Sequence, residues 1–457
     1  MEVELPRQQL TTVDLEDNDR QPMLSTNENT EASTSRRRRC RCTSRDSVWY
    51  PAGGLALFLV ASFILLASLI RNHRDPPRIL PPDEYTVALK KALLFFDAQM
   101  SGVLPSSHRI PWRGNSATKD GRLSTPRGLV GGYYDAGDNT KTTFLMAHSV
   151  ALLSWSAIEY KHKYIAIREY DHVRDIIRWG LDYFLRSFDC TSGGSVTEIY
   201  TRVGNANDDT HDGICWERPE VIDYIRQPTI SHSAPDIAAE MAAALAVGSM
   251  VFNDDRDYSL KLVEAAVSLF YFAVDSGRRP SPITEDQRHQ SSGFHDEHIW
   301  ASSFLYFATG NSSFLSFATD EQIAKKAGVF GRSRDSRVLS WDRKLPGAAL
   351  LLRRLRVFIN PGYPAEDMLR LYHGVSGDNA CSYLRQFGGM IVLNNGTHGH
   401  LQHVVNAVFT ATLFADYLRA EKVPGWYCGP NFIGVEDLDQ FARSQVIFEY
   451  LYYLING

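Results

Sequence analysis

The sequence lacks an excess of positive charge: 48 Lys and Arg residues are set against 53 Asp and Glu residues, which gives a formal net charge of −5. Proteins that bind nucleic acid normally carry a basic field, so we expect no nucleic-acid partner. Cysteine is also scarce, with six in 457 residues, and the spacing of these residues matches no zinc pattern. The sequence therefore predicts no metal centre and no cofactor.

One segment of the sequence could instead form a metal site. His398, His400 and His403 place three imidazoles within six residues, and imidazole is a common zinc ligand. No second motif supports a metal site nearby, so a histidine-rich surface loop that enters a helix is the favoured interpretation.

Residues 53–70 (GGLALFLVASFILLASLI) contain no charged side chain. This length predicts a transmembrane helix, placed at 49–71, because a core helix would show a polar stripe and a signal peptide would lie nearer the N-terminus. Six arginines between residues 36 and 45 precede the run, so the positive-inside rule puts a disordered tail, residues 1–48, in the cytosol. We expect a single-pass type II membrane protein with a stalk at 72–84 and a lumenal or extracellular domain at 85–457.

The remaining cysteines and the acceptor sequons agree with this topology. Four cysteines follow the span, and they predict one or two disulfides in an oxidising compartment, with the pairing left open: Cys190, Cys215, Cys381 and Cys428. The sequons at Asn311 and Asn395 are predicted glycosylation sites.

The domain beyond the stalk is dominated by helical periodicity, and alternating β-branched runs are scarce. Apolar residues recur at three and four positions in ten segments, at 85–100, 144–160, 172–188, 236–252, 258–274, 298–308, 347–358, 365–372, 403–420 and 438–454. Loops rich in Gly, Pro and Asp separate them. No internal repeat or shift in composition marks a second domain, so the sequence predicts one large all-α domain.

Two carboxylates stand three residues apart in the loop GGYYDAGDNT, at Asp135 and Asp138. One turn can present both to the same small volume. Such a pair can hold a water molecule, with one carboxylate taking its proton as general base and the other orienting it. The alternative is that Asp138 or Asn139 only caps the helix that follows.

Tryptophans next to polar or charged residues occur in several other loops. Indole faces stack on the apolar faces of sugar rings, while neighbouring polar groups bond the hydroxyls. A single loop tryptophan is more often a core residue, but five loop tryptophans with polar neighbours favour an extended neutral ligand. The predicted substrate-binding residues are Trp112, Arg113, Trp216, Trp300, Trp341 and Trp426.

Seven motifs in order resemble glycoside hydrolase family nine, and within it the plant membrane-anchored endo-1,4-β-glucanases of the Korrigan type. They are WRGNS (112–116), GYYDAGD (132–138), CWERPE (215–220), AAEMAA (238–243), Trp341-Asp342, PGYP (361–364) and PGWYCGPNF (424–432). The resemblance covers about residues 82–445. It implies an (α/α)6 barrel with an open cleft that hydrolyses β-1,4-glucan with inversion, with Asp138 as the general base and Asp135 helping to hold the water.

An inverting enzyme also needs a protonated carboxyl group across the scissile bond. The family places this glutamate in a C-terminal Asn-Glu segment after a His-His-Arg loop, and neither is found in the 457 residues. We therefore expect an incomplete barrel without the family's general acid. Glu297 and Glu449 are the first substitutes to consider, and a glucan-binding or partner-binding pseudoenzyme is the alternative function.

The resemblance also implies a biological setting. It indicates a role in cell-wall metabolism, with β-1,4-glucan as ligand and the cell-wall synthesis machinery as partner. An acidic dileucine-like stretch at 19–24 (DRQPML) suits cycling between the Golgi, endosomes and the plasma membrane. The natural glucan and the membrane of residence are left open.

Overall fold

The structure, a computed structural model, describes residues 84–125, 127–135, 138–204, 217–275, 291–330, 337–356, 365–384 and 401–456. Helices dominate these ranges: α1 Glu84–Gln99, α2 Thr143–Glu159, α3 Lys161–Ala166, α4 Tyr170–Phe184, α5 Pro235–Val251, α6 Arg256–Val274, α7 His295–Thr309, α8 Ser312–Ala318, α9 Glu321–Lys326, α10 Leu345–Arg356, α11 Glu366–Leu384, α12 Leu401–Ala420 and α13 Val435–Asn456. All ten predicted helices are confirmed. Their ends differ by a few residues, except that α11 continues well past its predicted end.

Among the described residues, two small antiparallel sheets accompany the helices, so the prediction of an all-α class is wrong in this respect and the fold is mostly helical. In the first sheet, β3 (Val196–Val203) pairs with β1 (Lys141–Thr142), β2 (Phe188–Cys190) and β4 (Pro228–Ser231). A hairpin of β5 (Gly425–Cys428) and β6 (Asn431–Gly434) forms the second. Strand β3 was not predicted because its last five residues are all buried. Such a strand lacks the alternation of buried and exposed positions that identifies a half-exposed strand.

Five helices, α2, α5, α7, α10 and α12, form the interior of the domain. Trp155 of α2 contacts both Trp300 of α7, with ring centroids 5.6 Å apart, and Phe409 of α12, at 5.3 Å. Asp296, in the first turn of α7, accepts a 2.8 Å hydrogen bond from the backbone N–H of Lys344, which directly precedes α10. The N-terminal halves of the inner helices therefore meet at one end of the bundle, as the contacts of His148 in α2 with Glu240 in α5 and Asn406 in α12 also show.

Glycines allow neighbouring helices to approach closely. A Cβ atom on Gly248 of α5 would lie 2.5 Å from Cδ1 of Leu181 in α4, and one on Gly347 of α10 would lie 2.6 Å from the Trp300 ring. Both distances are well inside van der Waals contact. Side chains at these positions would force the helices apart and open voids in the core.

A disulfide joins Cys381 of α11 to Cys428 of β5, with the Cα atoms 5.4 Å apart. Cys190 is a free, exposed thiol, and Cys215 lies outside the described residues. The bond fastens the β5–β6 hairpin to the helical layer, where the Trp426 ring lies directly against Gly377 of α11. One disulfide of the predicted set is thus identified.

We expect the Cys381–Cys428 bond to stabilise the domain by about 2–4 kcal/mol, because it closes a long loop in the unfolded chain. The paired substitutions Cys381→Ala and Cys428→Ala should lower the urea midpoint accordingly. Reductant should shift the wild-type midpoint and leave that of the double variant in place. Equal responses of both proteins to reductant would contradict this assignment.

The predicted tail at 1–48, the span at 49–71 and nearly all of the stalk at 72–84 lie outside the described residues. Within the described ranges, no helix combines the length and apolar character needed to cross a bilayer. The membrane topology therefore stays a prediction.

Candidate active site

Asp135 and Asp138 lie on one tight turn, which we call the acidic turn (residues 135–140, of which 136 and 137 lie outside the described residues). The N–H of Asp135 donates to the carbonyl of Thr140 at 2.8 Å, and the N–H of Thr140 donates to Oδ1 of Asp138 at 2.9 Å. The hydroxyl of Thr140 lies 2.6 Å from Oδ1 of Asp138 and 3.2 Å from Oδ2 of Asp135. One side chain therefore touches both carboxyl groups.

Thr142 provides further donors to Asp135. Its hydroxyl lies 2.5 Å from Oδ2, and its backbone N–H lies 3.2 Å from Oδ1. Burial raises the pKa of Asp135 above its ordinary value, and the nearby charge of Asp138 adds to the rise, while the donors from Thr142 oppose it. This is the electrostatic behaviour expected of two carboxyl groups that share one site.

A buried ion-pair network supports the acidic turn from both flanks. Asp120 accepts two hydrogen bonds from Arg226, at 2.9 and 2.7 Å, and one from Lys141 at 2.7 Å. Burial alone raises the pKa of Asp120, but Lys141 and Arg226 outweigh it and hold the pKa below its usual value. Burial lowers the pKa of Lys141 to about 8.

The two cations of this network also bond the backbone. Nζ of Lys141 donates to the carbonyls of Leu129 and Gly131, at 2.7 and 3.0 Å, upstream of the acidic turn. Arg226 donates to the carbonyl of Asn139 within the turn. The turn is therefore held at both ends by charged groups that share one carboxylate.

Arg113 does not face a ligand, contrary to the prediction. Its guanidinium is buried, donates to the carbonyls of Ala98 and Met100 at 2.9 and 2.6 Å, and pairs with Glu220. Glu220 also accepts from the N–H of Gly114 at 3.1 Å. These contacts hold the guanidinium against the backbone and Glu220, so Arg113 fixes a loop.

That loop presents Trp112, which is 72% exposed. The segment that carries Glu220 also contacts the acidic turn, because Asn139 donates to the carbonyl of Glu217 at 3.2 Å. Trp112 is therefore displayed by a loop that is connected to the acidic turn through two hydrogen-bonded steps. Its exposed ring is available for stacking.

Trp300 is a core residue, and its prediction as a substrate-binding residue is wrong. Its side chain is fully buried and packs against Phe304 at 4.5 Å as well as against Trp155. The residue lies on the inner face of α7, where helix packing leaves no space for a ligand. Its polar neighbours in the sequence are themselves buried, which is why the local pattern misled.

The other predicted tryptophans occupy different environments. Trp341 is half-buried and contacts Phe144 at the start of α2, with centroids 6.1 Å apart. Trp426 is half-buried between His373, at 4.9 Å, and Phe414, at 6.1 Å, and anchors the hairpin. Trp216 lies outside the described residues. Trp341 is thus close to the helix that follows the acidic turn, whereas Trp426 packs against α11 and α12.

A second group of titratable side chains lies inside the bundle, where the N-terminal halves of the inner helices meet. Nζ of Lys344 lies 3.4 Å from Oε2 of Glu240, and Nδ1 of His148 lies 3.7 Å from Oε1 of the same carboxylate. All three are buried. Burial and the neighbouring Lys344 lower the pKa of His148 to about 4, so this imidazole is neutral at physiological pH.

Glu297 belongs to the same buried group. Burial raises its pKa well above the usual value, and Asp296 adds to the rise, so the protonated form is favoured. Its side chain is fully buried in α7, so it is inaccessible to a glycosidic oxygen. The prediction of Glu297 as a candidate general acid is therefore wrong.

Glu297→Gln should remove a pH dependence of stability. Because the folded state binds the Glu297 proton more tightly than the unfolded state, wild-type stability is fully present below about pH 4 and is lost as pH rises toward the raised folded pKa. In urea unfolding between pH 5 and 8, the free energy of unfolding of the variant should rise relative to that of the wild type as pH increases. Glu264→Gln, at an exposed position of α6, is the control and should run parallel to the wild type. Parallel curves for Glu297→Gln as well would contradict the buried neutral acid.

Sequence reasoning missed Thr140, Thr142 and the Asp120–Lys141–Arg226 network. The threonines stand within four residues of Asp138, so their proximity was readable, but their hydroxyl directions were not. Asp120 and Arg226 are far apart in the sequence and carry no motif. Among the described residues, no cluster of His, Cys, Asp and Glu could hold a metal ion; Asn311 is exposed at the start of α8, and Asn395 lies outside the described residues.

Comparisons with known proteins agree on one family. The model of glycosyl hydrolase family 9 matches residues 85–450. The chain is 46% identical over 426 residues to Endoglucanase 12 of Oryza sativa subsp. japonica, covering 89% of this chain and 68% of the relative. It is 45% identical over 424 residues to Endoglucanase 7 of Arabidopsis thaliana, covering 89% and 67%.

Solved structures show the same likeness. An endoglucanase from the termite Nasutitermes takasagoensis aligns with a TM-score of 0.63 and 29% identity, covering 80% of this chain and 78% of that one. Endoglucanase CelQ from Clostridium thermocellum, crystallised with cellotetraose, aligns with a TM-score of 0.60 and 27% identity, covering 80% and 55%.

Proposed function

The chain belongs to glycosyl hydrolase family 9 and is by homology an inverting endo-1,4-β-glucanase, and from this premise we propose that Asp138 is its general base and that Asp135 holds the attacking water. The observation that supports these roles is the acidic turn itself. It brings two half-buried carboxyl groups to one hydroxyl, that of Thr140. A β-1,4-glucan is the proposed substrate, and CelQ, crystallised with cellotetraose, supports this choice.

In the proposed reaction, ionised Asp138 takes a proton from a water molecule as the water oxygen attacks the anomeric carbon. The bond to the leaving oxygen breaks on the opposite face, so the configuration at the anomeric carbon inverts. The two donors from Thr140 stabilise the carboxylate form of Asp138, which is the form a base requires. Asp135 accepts a hydrogen bond from the same water and fixes its direction of attack.

The proton for the leaving oxygen must come from a second carboxylic acid. We assign this role to no described residue, because Glu297 is sealed in the core, and the side chain of Glu449 lies outside the described part of the chain. The assignments to Asp138 and Asp135 do not depend on that group.

We propose further that Trp112 and Trp341 contact the glucan. Trp112 is exposed on a loop tied to the acidic turn, and Trp341 lies against the first turn of α2. Indole faces bind sugar rings without charge, which suits a neutral polysaccharide.

Asp138→Asn should lower the turnover of a soluble β-1,4-glucan by about 10²–10⁴-fold, because the amide cannot accept the proton of water. Asp320→Asn is the matched control, since Asp320 caps α9 through the N–H of Ile323 and Asn is an equally good cap. The measurement is the release of reducing ends from carboxymethyl-cellulose by the full chain. Proton NMR of the first product should show the α-anomer.

Two results would speak against this proposal. Undiminished turnover in Asp138→Asn would remove the base from this residue. A folded wild-type chain that binds cello-oligosaccharides without cleaving them would favour the binding-only alternative.

We also propose that the protein is of the plant membrane-anchored Korrigan type. The charge-free run at 53–70 and the arginines before it support a type II anchor. The Cys381–Cys428 disulfide suits an oxidising compartment. On this proposal the enzyme faces the lumen of the Golgi or endosomes, or the cell wall, and acts with the cell-wall synthesis machinery.

Glycosylation of Asn311 should follow from this topology. Asn311 is exposed, and its Oδ1 accepts from the N–H of Ser313 at 2.9 Å, a bond that does not use the amide nitrogen that carries a glycan. Expression with microsomes should give an endoglycosidase-sensitive form, and Asn311→Gln should lose one glycan. Protease digestion of the C-terminal domain in intact microsomes would show the opposite orientation.

A further inference from the structure

The hydroxyl of Thr140 occupies an unusual position between the two carboxyl groups of the acidic turn. It lies 2.6 Å from Asp138 and 3.2 Å from Asp135. A hydroxyl has one proton and two lone pairs, so it donates to one carboxylate at a time. The shorter distance favours donation to Asp138.

The turn does not need this hydroxyl in order to close. Backbone groups already close it, through the N–H of Asp135 to the carbonyl of Thr140 and the N–H of Thr140 to Asp138. Asp135 in turn has its own donors from the hydroxyl and N–H of Thr142. The hydroxyl of Thr140 is therefore not needed to form the turn, and its contacts with the two carboxyl groups call for a different explanation.

We propose that Thr140 is a positioning residue of the reaction, whose hydroxyl fixes Asp138 relative to Asp135 and stabilises Asp138 as the ionised partner. This inference rests on the proposed roles of the two aspartates. A hydrogen bond to the charged form of a carboxyl group favours that form. Removing the hydroxyl takes away one donor to the ionised form of Asp138 and leaves its carboxyl group freer to rotate away from the water.

The test compares Thr140→Val, which keeps the branched shape, with Thr140→Ser, which keeps the hydroxyl. Thr143→Val is the matched control, because the hydroxyl of Thr143 donates to the carbonyl of Tyr200 at 2.8 Å and touches neither carboxylate. The readouts are kcat, KM and the pH profile of kcat/KM on cellopentaose, measured with the full chain.

For Thr140→Val we expect kcat to fall by about tenfold and the acidic limb of the profile to move up by about one pH unit, because one hydrogen bond to a charged group is lost. KM should stay unchanged, since the hydroxyl faces the carboxylates. Thr140→Ser should retain most of the activity and the wild-type profile. If the acidic limb of Thr140→Val coincides with those of the wild type and Thr143→Val, the proposal is wrong.

A second measurement separates this inference from the proposed function. If the wild type shows no turnover, the proposed function fails, and urea unfolding across pH 3 to 7 then tests Thr140 alone. Its hydroxyl donates to the charged form of the carboxyl groups in the folded state, so the deficit of Thr140→Val should be larger at pH 7 than at pH 3. The deficit of Thr143→Val should not depend on pH. A pH-independent deficit for Thr140→Val would overturn the inference.

Discussion

The position of the acidic turn depends on one buried carboxylate, that of Asp120, which two cations share. Lys141 and Arg226 pair with it and extend from it to backbone carbonyls on either side of the turn. Breaking such a network by removing one partner leaves uncompensated buried charge, which typically costs about 3–5 kcal/mol. Asp120 therefore contributes to the site without approaching the substrate. The same network connects the turn to β1, whose first residue is Lys141, and hence to the small sheet.

The inner helices provide the second constraint. Their N-terminal halves meet at one end of the bundle, where the partial positive charge of each helix terminus favours acidic side chains. Asp236 and Asp296 lie in first turns of this kind, and Glu297 follows directly. The interior thus accommodates several carboxyl groups that a purely apolar core would exclude. Lys344, which precedes α10, adds a positive charge to this group of carboxyl groups, because its Nζ lies 3.4 Å from Oε2 of Glu240.

Much of this structure was readable in the sequence, but not all of it. The helices followed from apolar periodicity because each buries one face, and the two aspartates came together because a short turn leaves them little freedom. The strand β3 was missed since its buried residues show no alternation. Arg113 and Trp300 were misjudged because a neighbouring polar residue does not reveal whether a side chain points outward or into a helix interface. The ion pair of Asp120 and Arg226 joins residues 106 positions apart, a distance over which local patterns carry no information.

The Cys381–Cys428 disulfide has a topological consequence. Together with the chain between its ends, it forms a covalent ring, and the whole of the inner helix α12 lies within that ring. A single break in any peptide bond of the ring would open it without separating the two products. After one such break on either side of α12, the two cleavage products and this inner helix would stay covalently linked through the disulfide, so a single proteolytic cleavage would not release the helix.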